Sequence, residues 1–231
     1  MKILITGYSR SGTTLVRKLI AAHHQVVGIL HETMILIANR GIVGKTMYGW
    51  QGGEPVTLES GCNMERDHWG EKVLYDYPCI DGGVIDALDY CMFWNECFLP
   101  DSRIVNILRY PFDVVLSSAN KRKTTVEKAA MIYKHWMPRM VHEISALPNV
   151  LNVRFEDLLH DSFDTLERVF NHCEIDCSKA AITGAISGST PDIAFNRIKK
   201  KVAYSHNEDY PKLKGFGLEK IAAELEYKIW K

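Results

Sequence analysis

The stretch Gly7-Tyr8-Ser9-Arg10-Ser11-Gly12-Thr13-Thr14 decides the fold expected for this chain. It follows an apolar run at residues 2–6, which is typical of a buried parallel strand. It precedes apolar positions that are spaced for one face of a helix over residues 12–22, and a second apolar run occupies residues 25–30. Strand, glycine turn, helix and strand in this order predict a parallel βαβ unit at the start of the chain.

A glycine loop between a strand and a helix can bind an anion. Its backbone N–H groups turn inward, and the first turn of the helix adds free N–H groups and the positive end of its dipole. The glycine spacing agrees with the phosphate loop of nucleotide kinases, G-x-x-x-x-G-K-[ST], but Thr13 stands where that motif has lysine. The fixed cation comes earlier, at Arg10. The loop therefore predicts phosphate binding without the lysine that nucleoside triphosphate chemistry normally requires.

A second group of residues with phosphate-binding character follows a predicted strand at residues 103–108. Arg109 ends this strand, Pro111 opens the next helix, and Ser117 lies within that helix. An arginine offers a planar fork to a phosphate, and a serine adds a neutral donor. Because ligands of parallel α/β sheets bind at the carboxyl ends of the strands, we expect both phosphate sites at one edge of the sheet.

The remaining pattern predicts one α/β domain over residues 1–231 with an irregular excursion at about 40–70. Glycines and polar residues break up this excursion, where we expect part of an acceptor pocket. A further strand is predicted over residues 149–154. Helices are predicted over residues 84–98, from Val126 with a kink or break at Pro138, after a cap at Asp161 or Ser162, and after Gly217.

Composition indicates an ordinary globular protein and excludes several classes. Apolar residues make up 46% of the chain and charged residues 24%. The formal net charge is zero, so nucleic acid is not an expected partner and any anion site must be local. Without a long apolar run or a signal-like start, we expect a cytoplasmic protein with no membrane span. The six cysteines contain no C-x2-C pair, which favours free thiols and no metal site.

These motifs resemble those of sulfotransferases that use 3′-phosphoadenosine-5′-phosphosulfate (PAPS). The loop from Gly7 to Thr14 resembles their 5′-phosphosulfate-binding loop, in the arginine form typical of the Golgi and tyrosylprotein branches and of many bacterial relatives. Arg109 and Ser117 resemble the pair that holds the 3′-phosphate. Phe155 stands where the family has a tyrosine near the adenine, although it could equally belong to the core. The resemblance implies a fold of the P-loop NTPase type, a three-layer sandwich with a central parallel sheet flanked by helices.

The resemblance also implies an activity and a set of nucleotide contacts. The chain would transfer a sulfuryl group from PAPS to a hydroxyl acceptor, without a metal, and release adenosine 3′,5′-bisphosphate (PAP). The acceptor could be a carbohydrate, a peptide tyrosine, or a small alcohol or phenol. The implied nucleotide-binding residues are Ser9, Arg10, Ser11, Gly12, Thr13, Thr14, Arg109, Ser117, Phe155 and Lys200.

Sulfuryl transfer needs a base on the acceptor side and cations on the leaving-group side. Arg10 is the first expected cation, and Lys72 resembles the lysine that several branches supply as the second. Glu32 is the expected base, because a Glu-Thr pair lies at nearly this place in the tyrosylprotein branch. His31 is the alternative base, since its ordinary pKa suits neutral pH, and Glu32 could instead be an acid at a helix N-terminus.

Two features leave alternatives open. The family's Gly-x-x-Gly-x-Trp-Lys loop is missing. Two basic runs occur instead, Arg197–Lys201, which contains Lys200, and Lys212–Gly217, and either could close over the phosphates or form a solvated helix face. A P-loop small-molecule kinase is an alternative function, for which Asp113 could be the magnesium-binding acid. A non-catalytic nucleotide-binding module is another, against which Arg10, Lys72 and Glu32 together argue.

Overall fold

The computed structural model describes residues 1–31, 68–74, 87–189, 213 and 215–226 of the 231-residue chain. The strands in these ranges are β1 (Lys2–Gly7), β2 (Val26–His31), β3 (His68–Leu74), β4 (Ser102–Leu108) and β5 (Val150–Arg154). The helices are α1 (Thr13–Ala21), α2 (Ala87–Phe98), α3 (Pro111–Arg122), α4 (Val126–Ser145), α5 (Phe155–His160), α6 (Ser162–His172), α7 (Lys179–Ser189) and α8 (Leu218–Glu224).

The described strands form one parallel sheet in the order β2-β3-β1-β4-β5. Every residue of the central strand β1 is buried, because helices cover both faces of the sheet. The loop after β1 has β3 on one side and β4 on the other, so residues that follow these three strands meet at the carboxyl edge. A parallel sheet between helical layers is the fold class that the sequence predicts.

Two apolar cores fill the space between the sheet and its helical layers. One lies under α2, α3, α4 and α8 and includes Leu4, Trp94, Ile104, Tyr133 and Leu218. The other lies under α1, α5, α6 and α7 and includes Ile3, Ile5, Leu19, Val105 and Phe170. Successive residues of β1 and β4 contribute to opposite cores because side chains alternate across a strand.

The beginnings of three helices follow from local sequence signals. Pro111 occupies the first turn of α3, where its missing N–H costs nothing. The Thr125 hydroxyl accepts the N–H of Lys128 at the start of α4, and the Asp161 carboxylate accepts the N–H of Asp164 at the start of α6. The sequence predicts either Asp161 or Ser162 as the cap of α6, and Asp161 is the residue that caps it.

Pro138 neither splits nor ends the helix that contains it, so the prediction of a break is wrong. The helix α4 runs through it from Val126 to Ser145. Pro138 and Lys134 lie on the exposed side, where the Lys134 carbonyl that loses its N–H donor can bind water.

The predicted excursion over residues 40–70 is wrong at its end, because residues 68–70 begin β3. Residues 40–67 lie outside the described residues. The sequence His68-Trp-Gly-Glu-Lys72-Val-Leu is too polar for the apolar run of a typical central parallel strand. It is nevertheless paired on both sides, with β1 and with β2, so β1 and β2 are parallel but not adjacent.

Two further observations concern membrane-spanning helices and the cysteines. Within the described ranges, none of the helices is long and apolar enough to cross a membrane. In the same ranges Cys91, Cys97, Cys173 and Cys177 form no disulfide with one another, and burial raises the pKa of the Cys173 thiol to about 12.

Candidate active site

The loop between β1 and α1 is bounded by two glycines that no other residue could replace without strain. At Gly7, where φ is 151°, an added Cβ would lie 2.6 Å from the carbonyl oxygen of Ile107. At Gly12, where φ is 105°, it would lie 2.2 Å from a ring carbon of Phe155. Glycine therefore allows the loop to approach β4 at one end and α5 at the other.

The polar groups of the loop fit an anion. The Gly12 carbonyl accepts the N–H groups of Leu15 and Val16, so the helix begins at once, with Thr13 and Thr14 in its first turn. The Ser11 hydroxyl is buried and has no hydrogen-bond partner among the described residues. A buried donor without a partner beside a helix N-terminus fits a phosphate oxygen. Ser9 is half-buried in the same loop.

Arg109 follows the last residue of β4 and is held by contacts on several sides. Its Nη1 donates to the carbonyl oxygen of Arg10 over 3.0 Å, and its Nη2 lies 3.9 Å from Oδ2 of Asp113. The guanidinium carbon lies 4.6 Å from the centroid of the Phe155 ring. Its Nε is buried without a hydrogen-bond partner in the described part of the chain. A positioned cation with an unused donor fits a phosphate.

Arg10 connects the glycine loop with the residues that follow β4. Its side chain is exposed, and its Nε donates to Oγ of Ser117 on α3 over 3.1 Å. The pKa of Arg10 is lowered, first by partial desolvation and then by the positive charge of Arg109. The two guanidinium groups are therefore close enough to repel, and an anion bound between them would relieve this repulsion.

Lys72 supplies a third cation from the other side of β1. It is only 2% exposed on β3, and its Nζ donates to Oγ1 of Thr14 over 3.4 Å. Its Cα is level with that of Ile5 on β1 and that of His31, the last residue of β2. The sheet register therefore positions Lys72 beside both the glycine loop and the carboxyl end of β2.

Phe155 belongs to the core. The sequence left two alternatives for it, a contact with the adenine or a place in the core. It is the first residue of α5 and is 4% exposed, with its ring between Gly12 and the guanidinium of Arg109. In this position the ring supports Arg109 and leaves little surface on which an adenine could stack.

Sequence reasoning missed two residues that position Arg109. Asp113, considered only as a metal-binding acid of a kinase, faces Arg109 instead, and their i,i+4 spacing across the start of a helix was the available signal. Glu156 accepts the Tyr110 N–H at Oε1 over 2.9 Å and so fixes the peptide that follows Arg109. Nothing in the sequence pattern links Tyr110, which precedes α3, with Glu156, which lies in α5.

The structure brings together most of the predicted site residues. Those found at the carboxyl edge around the loop are Ser9, Arg10, Ser11, Gly12, Thr13, Thr14, Lys72, Arg109, Ser117 and Phe155. Glu32 and Lys200 lie outside the described residues. Within those residues, no group of three or more His, Cys, Asp or Glu side chains could hold a metal ion.

A family model described as the sulfotransferase family matches residues 93–179. These residues include Arg109, Ser117 and Phe155. Over these residues the chain is similar to the sulfotransferase family. No curated protein matches its sequence significantly. The resemblance to sulfotransferases that the motifs indicate is thereby confirmed, and the kinase alternative is not favoured.

Solved structures of sulfotransferases are similar to this chain in fold. The sulfotransferase domain from the curacin biosynthetic pathway is 16% identical, with 99% of this chain and 98% of that chain covered and a TM-score of 0.66. The sulfotransferase domain of the Synechococcus PCC 7002 olefin synthase is 15% identical, with coverages of 100% and 96% and a TM-score of 0.60. A mouse sulfotransferase complexed with PAP is 13% identical, with coverages of 82% and 63% and a TM-score of 0.53.

Proposed function

We propose that the chain transfers a sulfuryl group from PAPS to a hydroxyl acceptor. The observation that carries this proposal is that the glycine loop after β1 contacts residues that follow β4. The Arg10 carbonyl accepts a hydrogen bond from Arg109, and the Arg10 guanidinium donates one to Ser117. Two phosphate sites side by side suit a nucleotide that is phosphorylated on both its 5′ and its 3′ oxygen. The mouse relative complexed with PAP, a nucleotide of this kind, supports the same choice.

The residues around the loop fit PAPS. Glycines at 7 and 12 leave room where a Cβ would clash, and the buried Ser11 hydroxyl and Arg109 Nε lack partners among the described residues. We assign the 5′-phosphosulfate to the loop and the start of α1, and the 3′-phosphate to Arg109 and Ser117. The residues proposed for the 5′ side are Ser9, Arg10, Ser11, Gly12, Thr13 and Thr14. Lys200 stays a candidate for closing over the phosphates.

When bound, PAPS supplies the activated sulfuryl group. Lys72 and Arg10 contribute fixed positive charge on the leaving-group side, and charge on a buried ammonium acts more strongly than in water. Glu32 follows directly after His31, whose Cα is level with Lys72. A carboxylate at this position would accept the proton of the acceptor hydroxyl at one of its oxygens, and His31 Nε2 or Nδ1 is the alternative.

The acceptor and the compartment are also part of the proposal. The candidate acceptors are a carbohydrate, a peptide tyrosine, and a small alcohol or phenol. A cytoplasmic location is proposed because a chain of 231 residues can bury a sufficient core without disulfides.

The proposed function is tested by two measurements on the full chain. Transfer from labelled PAPS is assayed against a panel of the candidate acceptors, and calorimetry compares PAP, 5′-AMP and ATP. We expect transfer to at least one class of acceptor. We also expect PAP to bind about tenfold to more than a hundredfold more tightly than 5′-AMP, because a hydrogen bond to a charged group contributes roughly 1.5–3 kcal/mol.

The helix α3 offers a matched pair of variants for this experiment. Ser117→Ala removes the hydroxyl that accepts a hydrogen bond from Arg10 Nε and should weaken PAP binding. Ser118→Ala removes a neighbouring buried hydroxyl that has no partner among the described residues and should leave binding unchanged. Tighter binding of ATP than of PAP, or Mg²⁺-dependent phosphate transfer, would instead support the kinase alternative.

A further inference from the structure

We infer that the turn between α3 and α4 selects a hydroxyl acceptor that carries a negative charge, with Lys121 as a specificity-determining residue. The inference rests on the proposed function and names the class of its acceptor. This basic turn contains three exposed lysines: Lys121 in the last turn of α3, Lys123 directly after that helix, and Lys128 in the first turn of α4. The charge on the acceptor would be a carboxylate, a sulfate or a phosphate.

A row of side chains along α3 places Lys121 beside the site. Asp113, Ser117 and Lys121 are spaced four residues apart, so they follow one another along one side of the helix at steps of about 6 Å. The Asp113 carboxylate lies 3.9 Å from Nη2 of Arg109. The Ser117 hydroxyl accepts the Nε–H of Arg10 over 3.1 Å. The first two residues of the row thus face the arginines of the site, and Lys121 is the next residue along it.

The direction of the row indicates which part of the reaction Lys121 adjoins. Arg109, which precedes α3, is assigned to the 3′-phosphate, and Arg10 to the 5′-phosphosulfate. The row therefore passes from the 3′ side of the nucleotide to the 5′ side, which carries the sulfuryl group. Lys121 lies beyond the contact with Arg10, on the side where we expect the acceptor. A lysine has a flexible four-carbon stem, which allows its ammonium to reach a charged group there.

The lysines of the basic turn are not neutralised by neighbouring acids. Within the ranges that the structure describes, Lys121, Lys123 and Lys128 form no ion pair. Residues 114–142 contain six lysines and arginines but one acid, Glu127, whereas the whole chain has a formal net charge of zero. Such a local excess of one sign raises the concentration of oppositely charged ligands near it.

Stabilisation of helix ends does not account for all three lysines. A positive charge in the last turn of α3 interacts favourably with the helix dipole, which would explain Lys121. The opposite holds for Lys128, because the first turn of a helix favours negative charge. Lys123 has a φ of 50° and follows the end of α3, where glycine is common. A lysine in this conformation is less favourable than a glycine, which is consistent with a function for its ammonium.

Matched pairs of acceptors test the inference, because the members of a pair differ in charge but share the hydroxyl. Glucuronate and glucose represent carbohydrates, end-blocked Glu-Tyr-Glu and Gln-Tyr-Gln represent peptide tyrosine, and 4-hydroxyphenylacetate and its methyl ester represent phenols. Transfer from labelled PAPS gives kcat/KM for each. We expect the anionic member to be preferred about threefold to a hundredfold at low salt, since an exposed ion pair contributes up to about fivefold. Near 1 M salt, where the screening length is about 3 Å, this preference should largely disappear.

Variants locate the source of the preference. Lys121→Gln should lower it about twofold to fivefold, and Lys121→Arg, which keeps the charge, should retain it. Lys123→Gly removes a second charge and suits the left-handed backbone, so the preference should fall without a loss of stability. Lys179→Gln is the control, because it removes an exposed lysine at the amino edge of the sheet, where Asp176 contacts Gln25 just before β2. This control should leave the preference unchanged.

Thermal unfolding establishes that each full-length variant is folded, and calorimetry gives its affinity for PAP, which should change little. Equal use of both members of every pair, or full preference in Lys121→Gln, would overturn the inference and leave the proposed function in place. A loss of PAP affinity without a change in preference would also overturn it, because Lys121 would then contact the nucleotide. Transfer to none of these acceptors would overturn both.

Discussion

Replacing Gly12 by alanine tests how closely the glycine loop packs against the residue that supports Arg109. The added Cβ would lie 2.2 Å from a ring carbon of Phe155, whereas ordinary carbon contacts begin at about 3.5 Å. The ring or the loop must therefore move by more than about 1 Å. The ring is 4% exposed and one side of it faces Arg109, so little free space is available.

Two contributions lower the free energy of unfolding of Gly12→Ala. The first is the positive φ of 105°, which costs roughly 1–3 kcal/mol for a residue with a side chain. The second is overpacking in the core, which typically costs about 1–3 kcal/mol. We therefore expect Gly12→Ala to lower the free energy of unfolding by about 2–6 kcal/mol. Its affinity for PAP should also fall, because displacing Phe155 removes the surface on which Arg109 rests.

Gly215→Ala is the matched control. Its φ of 94° is similar, but no described residue lies within 4 Å of the added Cβ, so this variant reports mainly the backbone contribution. Urea denaturation monitored by circular dichroism gives both free energies of unfolding, and calorimetry gives the affinity for PAP. If the two variants lose the same stability and bind PAP alike, the close packing of Gly12 on Phe155 has no energetic consequence and the reasoning is refuted.

Three further predictions concern the base, the absence of a metal requirement, and pH. Glu32→Gln should lower turnover by roughly 10²–10⁴ with little change in PAP affinity, whereas a larger loss in His31→Ala would make His31 the base. Sulfuryl transfer should continue in excess chelator, and a Mg²⁺ requirement would contradict the proposed roles of Lys72 and Arg10. Burial lowers the pKa of His23, so the folded state binds fewer protons than the unfolded state, and the free energy of unfolding should fall as pH drops below about 6.5. In urea titrations between pH 8 and pH 5, His23→Gln should weaken this dependence; equal slopes in the variant and the unaltered protein would show that His23 is not responsible.

Much of the sheet could be predicted because its strands are short apolar runs bounded by turn residues. The run at residues 2–6 became β1, and the strand predicted over 103–108 became β4 with one residue added. The strand β3 was missed because its glycine, glutamate and lysine match neither an apolar run nor an alternating pattern. Lys72 belongs to a residue type that is almost never fully buried without a partner, so local sequence rules place it at the surface.

The sequence predicts which residues form the site better than it predicts the contacts between their side chains. Motif spacing located the glycine loop and Arg109, because each follows a strand that was itself predicted. The direction of the Arg10 side chain depends on a left-handed backbone and on a bond from Arg109. The burial of Phe155 depends on α5 beginning directly after β5. Both are properties of the assembled fold, and a local window of sequence does not contain them.

The central position of β1 has a consequence for the order in which the chain folds. Lys2 pairs with Trp69 on one side and with Ser102 on the other, so both neighbours of the first strand come from far along the chain. During synthesis β1 gains its second neighbour only after about a hundred residues have been made, and pairing over such separations is slow. Until then, an apolar strand with unpaired edges is exposed to other nascent chains. The glycine loop thus follows a segment that is prone to aggregation while the protein is being made.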